Sequence, residues 1–436
     1  MKEKLSLLPI ALFLAIFLGV GSYLHLQGVD YAFYQFPAPV AVVPALILAV
    51  ILGGRKKIQE TLDTLISGAG DKDIIGMCLI YLLAGAFASV SKASGGVDAT
   101  VNFGLSFIPV DYILPGIFII SGFVATAMGT SMGTIAAVSP IALGIGQKLG
   151  IDLSLMAGVV LSGAMFGDNL SIISDTTIAA TRSLGCQMRD KFKENVLIAL
   201  PAAFITIAYL IYVGEPLPSI EVSDYELYKV LPYVAILILA LMGMNVFIVL
   251  IIGILIAGVI GLLTIDQYTG LSLAKDVYKG FTGMQEIFLL SMFIGSLSAL
   301  VKSQGGMKVL LSPIESLIEY SKRFGPKVSS LASEVGISLM VSVVDLCTAN
   351  NTVAIIVSGP LAKEIQLKYQ LSRKRVASLL DIFSCVMQGL IPYGAQALLV
   401  ASSFNISTFS VTEKAYYCWA LALVALSSMI KRAWTK

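Results

Sequence analysis

The chain has 436 residues, 57% of them hydrophobic and 13% charged, with a mean hydropathy of +0.88 and a formal net charge of +2. Soluble domains carry about 25% charged residues, so this composition predicts an all-α polytopic membrane protein embedded in a lipid bilayer, and the small net charge gives no basis for a nucleic-acid partner. Five scattered cysteines without a CxxC pair support neither disulfides nor a thiolate metal site, and no zinc, P-loop or nucleophile-elbow motif opens an enzymatic or cofactor reading.

The basic N-terminus runs into apolar Leu5–Val20 with no small-residue cleavage site behind it. This predicts a first transmembrane helix over Leu7–Leu26, not a removed signal. The single histidine, His25, falls near its outer end. A second helix is expected over Pro39–Leu52. Arg55–Lys72 alternates charged and apolar residues, as a helix on the membrane surface does. A third crossing follows at Ile74–Ser91, then a connector, Lys92–Asp111, holding Gly95-Gly96 and Pro109.

Tyr112–Gln147 is the stretch around which the rest is organised. It holds no charged side chain. It is too long for one crossing of about 20 residues and tight for two. Its middle, Gly129-Thr130-Ser131-Met132-Gly133-Thr134, is poor helix interior. A re-entrant hairpin over 112–147 resolves the conflict, with a polar tip inside the membrane. Non-helical backbone at that depth survives only where protein buries it or it lines a watery cavity. The tip is therefore a candidate binding site of a secondary transporter. An interrupted crossing is expected over 153–181, broken between Gly167 and Thr177. A basic loop, Arg182–Lys193, a helix over Val196–Val213 and an acidic loop with Pro216 and Pro218 close the first half.

The second half repeats the order. Two helices fill Lys229–Leu263 with a turn at Gly243-Met244-Asn245, and a surface segment runs Tyr268–Glu286. A helix spans Ile287–Val301, and a connector runs Lys302–Ser330. A second hairpin is expected over 331–362, with Asn350-Asn351-Thr352 at its tip. A second interrupted crossing spans 376–402, broken at Gln388–Gly394, and a last helix spans Ala415–Ile430. The two repeats, 1–214 and 229–436, each hold five transmembrane helices plus one re-entrant hairpin. Lys92-x-x-Gly-Gly matches Lys302-x-x-Gly-Gly at a shift of 210. At a shift of 220, Pro140 falls on Pro360, Thr130-Ser131 on Asn350-Asn351, and Asp168 on Gln388.

Five crossings invert the second half. With the N- and C-termini in the cytoplasm, only Lys92, Lys148, Lys229, Lys275, Lys279 and Lys414 of the 29 Lys and Arg fall outside. That is the positive-inside bias of a cell (inner or plasma) membrane protein. Counting both hairpins as full double crossings spoils it.

Two opposed tips and two broken helices would meet near the midplane. Hydroxyls and unwound carbonyls there suit Na⁺ as transported or coupling ion, and Thr130, Ser131, Thr134 and Ser174 could supply oxygens. The same small residues also let helices pack closely. Asp168 and Asp175 are the only charges between Asp152 and Arg182. Intramembrane carboxylates are expensive and usually functional, so both are candidate Na⁺ and proton-coupling groups; the plainer alternative is that they cap broken helix ends. Asn169, Asp345, Asn350, Asn351, Thr352, Gln388 and Gln396 are candidate contacts for a small polar solute. Asp381 could be a structural partner, and Glu334 reads as an ordinary acid near the surface. No basic side chain is expected near the midplane.

Gly129-Thr130-Ser131-Met132-Gly133-Thr134, then Pro140, then Phe166-Gly167-Asp168-Asn169 through Ser174-Asp175-Thr176-Thr177 resemble the NhaC-type family of Na⁺/H⁺ antiporters. The resemblance implies Na⁺/H⁺ exchange, or Na⁺- or H⁺-coupled exchange of organic acids such as malate for lactate. The wider superfamily implies a homodimer and an elevator motion. One departure stands out. Many relatives carry His-Cys-Ser-Pro after the first Asp, where this chain has Asn169-Leu170-Ser171-Ile172. A titrating ring is replaced by an amide, which leaves the proton to carboxylates and marks a possible amino-acid substrate. A channel would want an open pore, and an intramembrane enzyme lacks its motif.

Overall fold

The computed structural model describes every residue except 1–4, 28–34, 55–57, 107–108, 110–111, 173, 215–223, 243 and 436. The start of the surface helix at Arg55, the end of the first connector at Asp111, most of the acidic loop with Pro216 and Pro218, and Gly243 of the expected turn lie outside the described residues, as does the side chain of His25. All regular elements among the described residues are helical.

The chain opens with α1 (Leu8–Leu26), α2 (Ala38–Gly53), α3 (Ile58–Ala69) and α4 (Lys72–Ala93), near the expected bounds. The connector after α4 is itself largely helical, as α5 (Gly96–Leu105). Gly95 takes φ 73°, a left-handed conformation natural to glycine, so the chain redirects and restarts a helix at once.

The first hairpin is α6 (Ile113–Met128) and α7 (Ser131–Leu149). Its tip is shorter than expected. Only Gly129 (φ 68°) and Thr130 (φ −153°) leave the helix, and Ser131–Thr134 form the first turn of α7. Hydroxyl residues are tolerated there because first-turn N–H groups lack intrahelical partners anyway. The first interrupted crossing is α8 (Leu153–Leu170) and α9 (Asp175–Leu184). α10 (Met188–Val213) begins inside the expected basic loop, so Arg189, Lys191 and Lys193 ride on a helix.

After a 3-10 turn (Leu227–Val230) come α11 (Leu231–Leu241), α12 (Val246–Thr264), α13 (Gly270–Gly283) and α14 (Gln285–Ser303). The long second connector is again mostly helix, α15 (Gly306–Ser321), behind left-handed Gly305 (φ 84°). α16 (Pro326–Thr348) and α17 (Asn351–Lys368) form the second hairpin, longer at both ends than expected. Its tip is Ala349 (φ 50°) and Asn350 (φ −147°). α18 (Arg373–Leu390) and α19 (Ala395–Phe404) form the second interrupted crossing, followed by α20 (Thr408–Glu413) and α21 (Tyr416–Thr435).

The helices of the two halves meet reciprocally. α3 packs on α14 and α13 packs on α4. A Cβ added to Gly68 would lie 2.6 Å from the Ala299 Cβ, and one on Gly85 would strike the Gly280 carbonyl, so both crossings depend on a missing side chain. Between α4 and α14, Tyr81 Oη and Ser291 Oγ stand 3.2 Å apart, 210 residues apart in the chain.

The outer surface is apolar. On α10, Leu197, Phe204 and Ile211 recur every seven residues and are 73%, 67% and 49% exposed. In water such a stripe would drive aggregation; against lipid tails it costs nothing. Seven helical stretches among the described residues are long and apolar enough to cross a membrane. Polar side chains turn inward instead. Glu334, expected as an ordinary surface acid, is buried and paired with buried Arg375 at 2.9 Å.

Candidate functional site

A cavity of about 520 Å³ opens where the two hairpin tips approach the two interrupted crossings. The starts of α7, α9, α12, α17 and α19 all reach its wall, through Ser131, Asp175, Val246, Asn351 and Gln396. Helix starts carry partial positive charge. Side chains temper three of them: Ser174 accepts from Thr177 N, Asn245 from Phe247 N and Asn350 from Val353 N. Thr130 makes no such side-chain cap at the start of α7.

Of the residues singled out in the sequence, Thr130, Ser131, Asp168, Asp175, Asn350, Asn351, Thr352 and Gln396 line this cavity. Asp168 sits in the last turn of α8 and is only 4% exposed. Ser131 donates to its Oδ2 at 3.2 Å. Behind Ser131 runs a chain of amides. Gln396 donates to the Ser131 hydroxyl at 3.1 Å, and Gln388 donates to Gln396 Oε1 at 2.7 Å and to the Ala349 carbonyl at 3.1 Å. Asp168, the first tip and the second tip are thus strung on one hydrogen-bonded line. Asp175 stands at the start of α9, exposed to the cavity, with no ion pair among the described residues.

Five candidates do not reach the cavity wall. Thr134 is fully buried and bonds back to the Thr130 carbonyl at 3.1 Å. Ser174 caps α9 and bonds to Thr177 Oγ1 at 2.9 Å. Gln388 holds the line described above. Asp345 is fully buried one turn before the second tip; its carboxylate has no side-chain partner among the described residues, and the Asn350 amide bears on it. Asn169 faces away, into a second cluster.

That cluster centres on a lysine, buried among the helices that meet at the breaks. Lys191, fully buried on the first turn of α10, lies 2.8 Å from Asp381 Oδ2. It also donates to the Asn169 carbonyl at 3.1 Å and to Thr177 Oγ1 at 2.7 Å. Asn195 and Asn169 donate to the same Asp381 oxygen at 2.7 and 3.1 Å, and Tyr417 Oη to Asn169 Oδ1 at 3.4 Å. One ammonium group therefore ties the end of α8, the start of α9 and the middle of α18. An isolated ion here would cost several kcal/mol, and pairing plus four amide and hydroxyl contacts to the two ions offsets that cost. The charge run between Arg182 and Lys193 hid Lys191 in the sequence. The signal was helical spacing: Asn195, Ile198 and Ala202 form the buried face of α10, and stepping back four residues reaches Lys191.

Residues 3–215 and 217–430 match the model of the Na⁺/H⁺ antiporter family. The malate-2H⁺/Na⁺-lactate antiporter of Bacillus subtilis is 24% identical, over 96% of this chain and 94% of its own. The Na⁺/H⁺ antiporter NhaC of Alkalihalophilus pseudofirmus is 24% identical over 87% of each chain. The arginine/ornithine antiporter ArcD of Halobacterium salinarum is 24% identical over 80% of this chain and 78% of its own.

Proposed function

This chain belongs to the Na⁺/H⁺ antiporter family, and from that premise we propose that it exchanges Na⁺ for protons, with Asp168 carrying the two loads in turn. It is an integral membrane protein and a secondary antiporter, as its family and named relatives are. The observation that carries the ion reading is the setting of Asp168. It is nearly buried, lies on the cavity wall at a helix break, and has one side-chain hydrogen bond, from Ser131. A carboxylate accepts about four such contacts, so lone pairs remain for a cation. Bare, it is costly at this depth; bearing a proton or Na⁺ it is neutral. The two loads exclude each other at one site, which is the condition for exchange. Hydroxyls of Ser131 and Thr130 stand by as further hard-oxygen donors.

A second reading has its own observation. About 520 Å³ is the size of an organic-ligand pocket and far more than a sodium ion fills. The chain on this reading couples ion movement to a small organic solute held by Asn350, Asn351, Thr352 and Gln396. The Tyr81–Ser291 contact and the recurring order of elements support two inverted repeats. With both termini cytoplasmic, the mouth beside Lys72 faces the cytoplasm. The homodimer and elevator motion belong to the same proposal, by family likeness.

The test is purified protein in sealed liposomes with an internal pH dye, given a Na⁺ pulse at clamped voltage. Proton movement that follows the pulse, and that Asp168→Asn abolishes, is the expected result. Undiminished movement in that variant would remove Asp168 from the exchange.

A further inference from the structure

Lys72 and Asp175 line the same cavity, carry opposite charge, and make no ion pair with each other or with any other described residue. Two such groups at one mouth would close on each other if they could reach. The gap between them is a place for a solute bearing both charges. The rest of the wall is uneven. Met77, Ile80, Met128, Met132, Met244 and Phe247 also line it and add apolar surface. A bare cation gains nothing from such surface, whereas methionines are adaptable to apolar groups of varied shape.

We propose that the cavity binds a zwitterionic solute with an apolar tail, an α-amino acid by chemistry. Its carboxylate lies toward Lys72, its ammonium toward Asp175 and its tail against the methionine side chains that line the cavity. Asp168, deeper and bonded to Ser131, stays with the coupling ion. The division follows from exposure: Asp175 and Lys72 are exposed to the cavity, and Asp168 is nearly closed off. This inference rests on the antiporter reading and adds a solute to it. Lysine is a point charge with three donors, suited to a single carboxylate, and a carboxylate facing an ammonium forms charge-assisted hydrogen bonds.

The experiment is calorimetric titration of the protein in lipid nanodiscs, in Na⁺ buffer, with three probes. L-Methionine carries both charges, 3-(methylthio)propylamine lacks the carboxylate, and 4-(methylthio)butanoate lacks the ammonium. Saturable methionine binding is expected, at least about tenfold tighter than either analogue, since one charge-assisted contact is worth about 1.5–3 kcal/mol. Lys72→Gln is expected to weaken methionine and the butanoate about tenfold and leave the amine unaffected. Asp175→Asn should weaken methionine and the amine and spare the butanoate. Equal affinity for all three probes, or insensitivity to both variants, overturns the inference. Na⁺-driven proton flux in liposomes without any methionine binding overturns it too and leaves the antiporter reading standing. Absence of both flux and binding in folded protein overturns both.

Discussion

The two interrupted crossings share a backbone and differ in chemistry. α8 stops at Leu170 and α9 starts at Asp175; α18 stops at Leu390 and α19 starts at Ala395, each 220 residues on. At the last turn before the break the first crossing has Asp168 and the second has Gln388. At the restart the first has Asp175 and the second Ala395. In each break a backbone carbonyl finds a partner: Thr177 Oγ1 donates to the Ser171 carbonyl in one, and Gly394 N to the Ile391 carbonyl in the other. A helix break inside a membrane therefore does not need an acid. The amide half shows what the fold requires, and the carboxylates of the other half are the surplus that the proposed exchange puts to use.

Substitutions that exchange or erase this difference test it. The largest effect is expected from Asp168→Asn, which makes the first crossing resemble the second. Na⁺-driven proton flux should fall to the background of empty liposomes while the protein still elutes as folded material. Gln388→Ala, at the corresponding place, should only slow transport, because it removes a positioning amide and no charge; equal loss in both variants would mean that the break geometry, not the carboxylate, carries exchange. Next comes the ion pair that crosses between the halves. Lys191→Met leaves Asp381 buried and unpaired and should cost about 3–5 kcal/mol in detergent unfolding. Asp381→Asn added to it should restore most of that loss; a double variant as unstable as the single one would show that Lys191 acts through Asn169 and Thr177 instead.

The smallest effects concern the hairpin tips. Gly129→Ala places a Cβ at φ 68° and should lower stability by about 1–2 kcal/mol. The second tip already has alanine in that conformation, at φ 50°. Ala349→Gly should therefore shift the melting point little, since relief of strain is offset by about 0.5–1 kcal/mol of added freedom in the unfolded chain. A large destabilisation by Ala349→Gly would show that its methyl group packs in a way glycine cannot replace.

Much of this was legible before any coordinates. The overlong uncharged stretch at 112–147 announced a hairpin because membrane thickness limits what one helix can be. The position of Asp168 on the cavity was legible for the same kind of reason: a lone acid in an apolar run has few places to go. What failed shares a cause as well. Loops were assigned wherever glycine, proline or charge accumulated, and three such stretches proved helical, as α5, α15 and the start of α10. Gly95 and Gly305 end one helix but start another one residue later. Lys191 was counted with the solvated charges around it because side-chain type was weighed above helical phase. Asp345, one turn before its tip, remained ambiguous in sequence, and its buried place off the cavity wall follows only from how α16 is rotated.

The pair of Lys191 with Asp381 also bears on how the protein is made. A chain is threaded into the bilayer in order of synthesis, and the ammonium arrives 190 positions before the acid that neutralises it. Until α18 has emerged, the first half holds a charge it cannot settle among its own segments, so it is a poor stand-alone unit. A gene cut between residues 214 and 229 should for this reason yield two fragments that are each degraded when expressed alone and persist when expressed together.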